Sequence, residues 1–149
     1  LVYLSLEGGR GGAIRAALIH ANEPFEDKFV PFRGQKAFAA DYKIPPVGLP
    51  WLIVEGRAVT QSSAILRFAG KKSDLYPQDH FEALIVDEVL DIVQDVLTKT
   101  PQEPNEAVKK AKRDMYQNGK MKEFFDLLEV RASAVPGDFV LGSTITIAD

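Results

Sequence analysis

The sequence predicts an α/β domain over residues 1–75 followed by an all-helical domain over residues 76–149. Three observations lead there. The first half alternates strand-like and helix-like stretches. After about Lys72 the strong apolar periodicity is helical. The charge also changes sign: residues 1–75 carry ten Lys/Arg and seven Asp/Glu, and residues 76–149 carry eight and fourteen.

Val2, Leu4 and Leu6 alternate with Tyr3 and Ser5, which is strand periodicity and sends Tyr3 off the core face. Gly8, Gly9, Gly11 and Gly12 then read as a loop, and Ile14, Ala17, Leu18 and Ala21 follow at helical spacing. A short strand is expected over 28–32, and an irregular stretch over 33–46 ending in Pro45-Pro46. Trp51-Leu52-Ile53-Val54 reads as a buried strand. Glu55-Gly56-Arg57 is a tight turn into a second hairpin strand, Ala58-Val59-Thr60. Ser62 is then expected to cap a helix with Ile65, Leu66, Phe68 and Ala69 on its apolar side. A polar connector, 71–77, closes this half.

From 79 to 99 two adjacent apolar rows, Ile85, Val89, Ile92, Val96 and Val86, Leu90, Val93, Leu97, define one long amphipathic helix. Pro101 and Pro104 stop it. Asn105 or Glu106 opens a second helix carrying Val108, Ala111, Met115, Met121, Phe124, Phe125 and Leu128, which Pro136-Gly137 ends. Thr146 and Asp149 have the spacing of a capping box, with Asp where Glu is more usual. The chain stops at the turn this cap announces, so the natural protein is expected to continue; the alternative is a frayed tail. Leu1 is not a natural start, which leaves room for an upstream segment.

Composition narrows the chemistry. The net charge is −3 and apolar residues make up 46%, ordinary for a soluble globular chain. The longest apolar run, residues 47–54, is eight residues and contains a proline, too short to cross a bilayer. There is no cysteine, which excludes disulfides, thiolate metal sites and a cysteine nucleophile, and favours a cytosolic home. His20 and His80 are the only histidines and stand sixty residues apart, so a histidine metal site or a Ser-His-Asp triad has little support. No basic stripe with interleaved aromatics points to nucleic acid.

Three places could carry chemistry. At Leu49-Pro50 a cis bond would turn the Leu49 amide and carbonyl outward to pair with a peptide ligand, although an ordinary trans turn is the commoner local reading. Gln61-Ser62 opens a helix whose free N–H groups could seat a carboxylate, unless Ser62 is only a cap. The Tyr3 hydroxyl could donate to a ligand sulfur, unless it is a packed strand-edge aromatic.

Taken together these stretches resemble the cytosolic glutathione transferases, most closely their tyrosine-dependent, sigma-like branch. The carriers are Tyr3-Leu4-Ser5-Leu6 running into Arg10-Gly11-Gly12-Ala13-Ile14-Arg15; Val47-Gly48-Leu49-Pro50-Trp51-Leu52; Val54-Glu55-Gly56 with Thr60-Gln61-Ser62-Ser63-Ala64-Ile65; and residues 142–149. The resemblance covers essentially the whole chain. It implies a thioredoxin-like N-terminal domain, an all-helical C-terminal domain that is incomplete here, and a cytoplasmic homodimer. It implies conjugation of the glutathione thiolate to a small hydrophobic electrophile, with glutathione as substrate and no metal.

Residue by residue, it implies Tyr3 as donor to the sulfur and a cis Leu49-Pro50 with the Leu49 main chain on the cysteinyl unit. Gln61 and Ser62 would hold the γ-glutamyl end, Lys43 or Phe38 the glycyl end, and Arg10 belongs to the same glutathione-binding set. Asp95 matches the family position that reaches the neighbour's γ-glutamyl amine, while Asp87, Asp91 and Asp95 also read as a solvated helix face. In this alignment the loop after the first strand is one residue longer than usual; without that insertion Leu4 would stand at the tyrosine position. Tyr3 is preferred because it points off the core face and glycines can absorb the extra residue. Gly12 stands where many relatives have an acid. The same fold could instead serve a glutathione-dependent isomerase or peroxidase, or a non-catalytic binding or scaffolding protein.

Overall fold

The computed structural model describes residues 1–5, 8–31, 34–45 and 47–149. Leu6 and Phe32, the last residues of the first two expected strands, lie outside the described residues, as do Arg33 and Pro46 of the expected irregular stretch. The chain divides into two compact units, Leu1–Pro77 and Gln78–Asp149.

The first unit is a four-stranded sheet with three helices. Its elements are β1 (Val2–Tyr3), α1 (Gly9–His20), β2 (Lys28–Phe29), α2 (Gln35–Asp41), β3 (Trp51–Val54), β4 (Arg57–Thr60) and α3 (Ser62–Lys72). The strand order is β2-β1-β3-β4. β1 runs parallel to β2 and antiparallel to β3, and β3 is antiparallel to β4. This is the mixed sheet expected of a thioredoxin-like domain, reached because β1-α1-β2 is a parallel crossover and β3-β4 a two-residue hairpin. That hairpin needs positive φ at both turn residues, and Glu55 and Gly56 have φ of +50° and +74°.

One face buries Val2, Val30, Ala39 and Trp51, with Phe38, Ile44, Leu49 and Ile53 packed against them. On α1, Ile14, Ala17 and Leu18 are buried, on α3 Ile65, Leu66, Ala69 and Gly70, and these two helices pack together.

Several boundaries differ from the expectation. β1 ends at Tyr3, and β2 at Phe29. β4 begins at Arg57 rather than Ala58. The glycine stretch is not a loop: Gly9, Gly11 and Gly12 form the first turn of α1. The stretch expected to be irregular contains α2, seven residues long with Ala39 buried and Phe38 half-buried. Two turns are too short for a 3.6-residue period to show.

The second unit is helical. α4 (His80–Lys99) is capped by Asp79, whose carboxylate accepts from the Phe81 and Glu82 amides at 2.9 and 3.0 Å. Those bonds hold the Asp79 carboxyl below its ordinary range. Val86, Val89, Leu90 and Ile92 are buried, but Val93 and Leu97 face outward, so the second apolar row reaches the core only as far as Leu90. α5 (Glu106–Tyr116) is capped by Asn105, and α6 (Lys122–Ala132) continues it through a π-helical segment at Gln117–Met121. The expected single helix is therefore one rod with a widened turn at Asn118-Gly119. No helix among the described residues is long and apolar enough to cross a membrane.

Beyond the rod, isolated bridges join Phe139 to Gly142 and Leu141 to Thr144. The Ala148 amide donates to Thr146 Oγ1 at 3.1 Å and the Thr146 amide to Asp149 Oδ2 at 2.8 Å. This is reciprocal capping-box geometry. Asp149 Oδ1 also accepts from the Val140 amide at 2.8 Å, which ties the last loop to itself.

Glu88 of α4 pairs with Arg131 of α6. The Arg131 hydrogen bond, ahead of its charge, holds the Glu88 carboxyl below the ordinary range, against a smaller opposing effect of burial. A depressed carboxyl stabilises the fold above its unfolded pKa and loses that contribution as pH falls through the folded value. Glu88→Gln is expected to cost only about 0.5–1 kcal/mol at neutral pH, since both side chains are a third exposed. Thermal unfolding should show the gap between parent and variant closing as the pH falls below the ordinary carboxylate range.

Candidate active site

Strand register brings Tyr3, Pro50 and Gln61 to one end of the sheet. Val2 pairs with Trp51, and Trp51 with Thr60, so these three form a row across β1, β3 and β4. One step further toward the same end stand Tyr3, Pro50 and Gln61, because β3 runs against its two neighbours. Neighbouring strands are about 4.8 Å apart, so the row from β1 to β4 spans about 10 Å, close to the length of an extended tripeptide.

β1 and β4 also run in the same direction, so the helices that follow them both start at this end. Among the described residues, neither the Gly8 cap of α1 nor the Gln61 cap of α3 makes a side-chain cap hydrogen bond. Their first amides and positive dipole ends are therefore available to an anion.

The Leu49-Pro50 bond is cis. Leu49 precedes β3 and lies outside its paired register, while Pro50 is fully buried. Trp51, also fully buried, donates from its indole Nε1 to the Gly48 carbonyl at 3.1 Å and so pins the segment that carries Leu49.

Gln61, not Ser62, is the N-cap of α3, and Ser62 is its first helical residue. The expectation that Ser62 caps the helix is corrected. A cap must have non-helical φ and ψ, and Gln61 leaves the strand with φ +75° and ψ 109°. That conformation is costly for a residue with a side chain, and such cost is concentrated at functional sites. Gln61 is exposed. Gln61→Gly is expected to raise the unfolding free energy by up to about 1 kcal/mol, read by denaturant melts, while weakening ligand binding at this end of the sheet.

Tyr3 points to the opposite face of β1 from Val2 and is itself buried, 7% exposed. Its ring lies under the first turn of α1. A Cβ on Gly9 would stand 2.9 Å from the Tyr3 hydroxyl, and one on Gly11 would stand 2.4 Å from Cδ1. The two glycines are the cradle of the ring, a role that sequence reading missed although the glycine excess was its signal. Both faces of β1 are covered, one by the Val2 cluster and one by α1, so alternation could not say which was open. The hydroxyl lies beside Gly9, at the positive end of α1.

Arg15, one turn further along α1, has its guanidinium 5.8 Å from the Tyr3 ring centroid and 5.7 Å from that of Phe29. Its Nε donates to Asp27 Oδ2 at 2.8 Å.

No family model matches the chain. It is 31% identical to a glutathione S-transferase of Anopheles gambiae over 135 residues, which are 89% of this chain and 66% of that protein. It is 30% identical to glutathione S-transferase alpha-4 of Rattus norvegicus over 153 residues, 95% of this chain and 65% of that protein. The fold matches prostaglandin synthase D of Nilaparvata lugens with a TM-score of 0.81 at 28% identity, covering 99% of this chain and 74% of that one. The chain belongs to the glutathione S-transferase family. It spans just under two thirds of the length of the two curated relatives.

The remaining candidates of this glutathione S-transferase chain are placed as follows. Arg10 is the second residue of α1, half-buried beside the glycine turn. Phe38 stacks on Tyr42 at 5.7 Å and tilts against Trp51 at 6.3 Å, so its ring is committed to packing next to the Leu49 segment. Lys43 is exposed just past the end of α2, with φ +53°. Asp95 lies in the second unit, on α4, where Lys99 donates to it at 2.6 Å. Among the described residues no group of three or more acids and histidines could hold a metal.

Proposed function

We propose that the protein binds reduced glutathione extended across the β1–β3–β4 end of the sheet and transfers its thiolate to a hydrophobic electrophile. The observation that carries this reading is the row of Tyr3, Pro50 and Gln61 with two uncapped helix starts beside it. The Leu49 main chain pairs with the cysteinyl unit. Gln61, Ser62 and the first amides of α3 take the γ-glutamyl carboxylate. Arg10, Lys43 and Phe38 lie toward the glycyl end. The excess of basic residues over 1–75 suits a ligand with two carboxylates.

Tyr3 donates its hydroxyl hydrogen to the sulfur. Lowering a thiol pKa by about two corresponds to about 2.7 kcal/mol of preferential thiolate stabilisation. One sheltered hydrogen bond together with the α1 dipole can supply that. In the chemical step the sulfur lone pair forms a carbon–sulfur bond and the electrophile's leaving group departs with the electron pair. The protein acts as a cytoplasmic homodimer in which Asp95 serves the glutathione of the neighbouring copy.

The test uses the full-length protein on immobilised glutathione, followed by conjugation of a chloronitroaromatic. Retention with conjugation supports the reading, and Ser62→Ala should weaken retention. Passage without retention rejects it. Sedimentation as a monomer removes the role of Asp95.

A second reading, a glutathione-dependent isomerase, is favoured by the likeness to the protein named prostaglandin synthase D. Conjugation consumes one glutathione per product, whereas isomerisation returns it, so the thiol balance separates the two. Retention with no ionised thiol would instead assign a non-catalytic binding module.

A further inference from the structure

We infer that Arg15, clamped by Asp27, is the positioning residue that sets the orientation of the Tyr3 phenol; this rests on Tyr3 being the thiolate partner. The Tyr3 ring is bounded on one side by the bare backbone of Gly9 and Gly11. The Arg15 guanidinium approaches the ring at 5.8 Å, within the range of a cation–π contact. The same guanidinium lies 5.7 Å from the ring of Phe29, the neighbour of Tyr3 across β1 and β2, so it contacts both aromatics. Asp27 then fixes it along its own plane through the 2.8 Å bond to Nε. A phenol bounded by backbone and by an immobilised cation keeps one ring plane, and with it one direction for its hydroxyl.

The energetics argue against a purely structural pair. The side chains of Arg15 and Asp27 are only 14% and 24% exposed, so both charges have lost most of their water. A buried pair of this kind adds little net stability unless every polar atom is satisfied. Asp27 Oδ1 is buried without a hydrogen-bond partner among the described residues. An apolar residue of similar volume at position 15 would fill the space at less desolvation cost. A planar, permanently charged group does what an apolar one cannot: it holds the ring by electrostatics and is itself held by a carboxylate.

Arg15→Lys, Arg15→Met and Asp27→Asn in the full-length protein test this, with Phe29→Leu as a fourth variant. Phe29 is 58% exposed, so its change loosens the clamp without burying an unpaired charge. Three readouts are taken: KM for glutathione, kcat, and the ultraviolet absorbance of the bound thiolate at neutral pH. Arg15→Met is expected to leave KM for glutathione within about threefold while kcat falls about tenfold or more, in step with the thiolate absorbance. Arg15→Lys should recover part of both, and Phe29→Leu should lower both about two- to threefold.

Unchanged kcat and thiolate signal in folded Arg15→Met would overturn the assignment, as would a rise in KM at constant kcat. If Arg15→Met does not fold, an unaltered thiolate signal in both Asp27→Asn and Phe29→Leu overturns it equally. The parent reading fails separately: there the unaltered protein, or Tyr3→Phe, already shows no dependence of the thiolate on the phenol.

Discussion

Replacing Tyr3 by Phe is expected to lower the rate of conjugation about 10²-fold while glutathione remains bound. The reason is local. Phe keeps the ring that fills the space under Gly9 and Gly11, and keeps the face that Arg15 approaches. Only the hydroxyl is lost, and with it the one side-chain donor on β1 aimed at the start of α1. A donor used more strongly by thiolate than by thiol acts on kcat and not on the affinity of the ground state. Steady-state kinetics with glutathione as the varied substrate therefore checks it, and a large rise in KM at constant kcat would contradict the role. A parallel loss of the bound-thiolate absorbance is expected. The melting temperature should move little, because the packing volume is almost unchanged.

The second large effect is expected at Gly11→Ala. A Cβ there would stand 2.4, 2.8 and 2.9 Å from Cδ1, Cγ and Cε1 of Tyr3. Those atoms are the near edge of a buried ring, not the end of a flexible side chain, and Arg15 lies close to the same ring. Either the ring or α1 must move, and overpacking of this kind costs about 1–3 kcal/mol. The activity loss should approach that of Tyr3→Phe, since a shift of about 1 Å in a positioned donor is enough to cost about 10²-fold. Denaturant melts and initial rates on the same preparations check both parts. A double-mutant cycle adds the decisive comparison: in a Tyr3→Ala background the stability cost of Gly11→Ala should largely disappear, because the atoms it meets are gone. Full additivity would mean that the glycine serves the helix and not the ring.

Much of this was legible from residue types. The long apolar rows of α4, the proline stops at 101 and 104, and the Asn105 cap need only local periodicity and local hydrogen bonds. The β3–β4 hairpin was legible for the same reason, since Glu55-Gly56 is a two-residue turn between apolar strands. The capping-box spacing of Thr146 and Asp149 corresponds to bonds that the structure makes.

What was not legible depends on partners distant in sequence. α2 is two turns long and is held in place by packing of Phe38 and Ala39 on Val2, Val30 and Trp51. The cap of α3 shifts from Ser62 to Gln61 because β4 hands the chain over at Thr60 with a fixed register. The glycines after β1 look like a flexible loop until the Tyr3 ring is placed beneath them, where a Cβ on Gly9 or Gly11 would run into it.

The sequence by itself determined the division into a sheet-bearing unit and a helical one, and the family that its motifs resemble. These follow from period, turn chemistry and short motifs, all of which act within a few residues. Tertiary structure decided which face of β1 carries Tyr3, what bounds its ring, and that Tyr3, Pro50 and Gln61 share one row. Strand alternation assigns a side chain to one of two faces; only the packing of α1 and the pairing of β3 decide what each face meets.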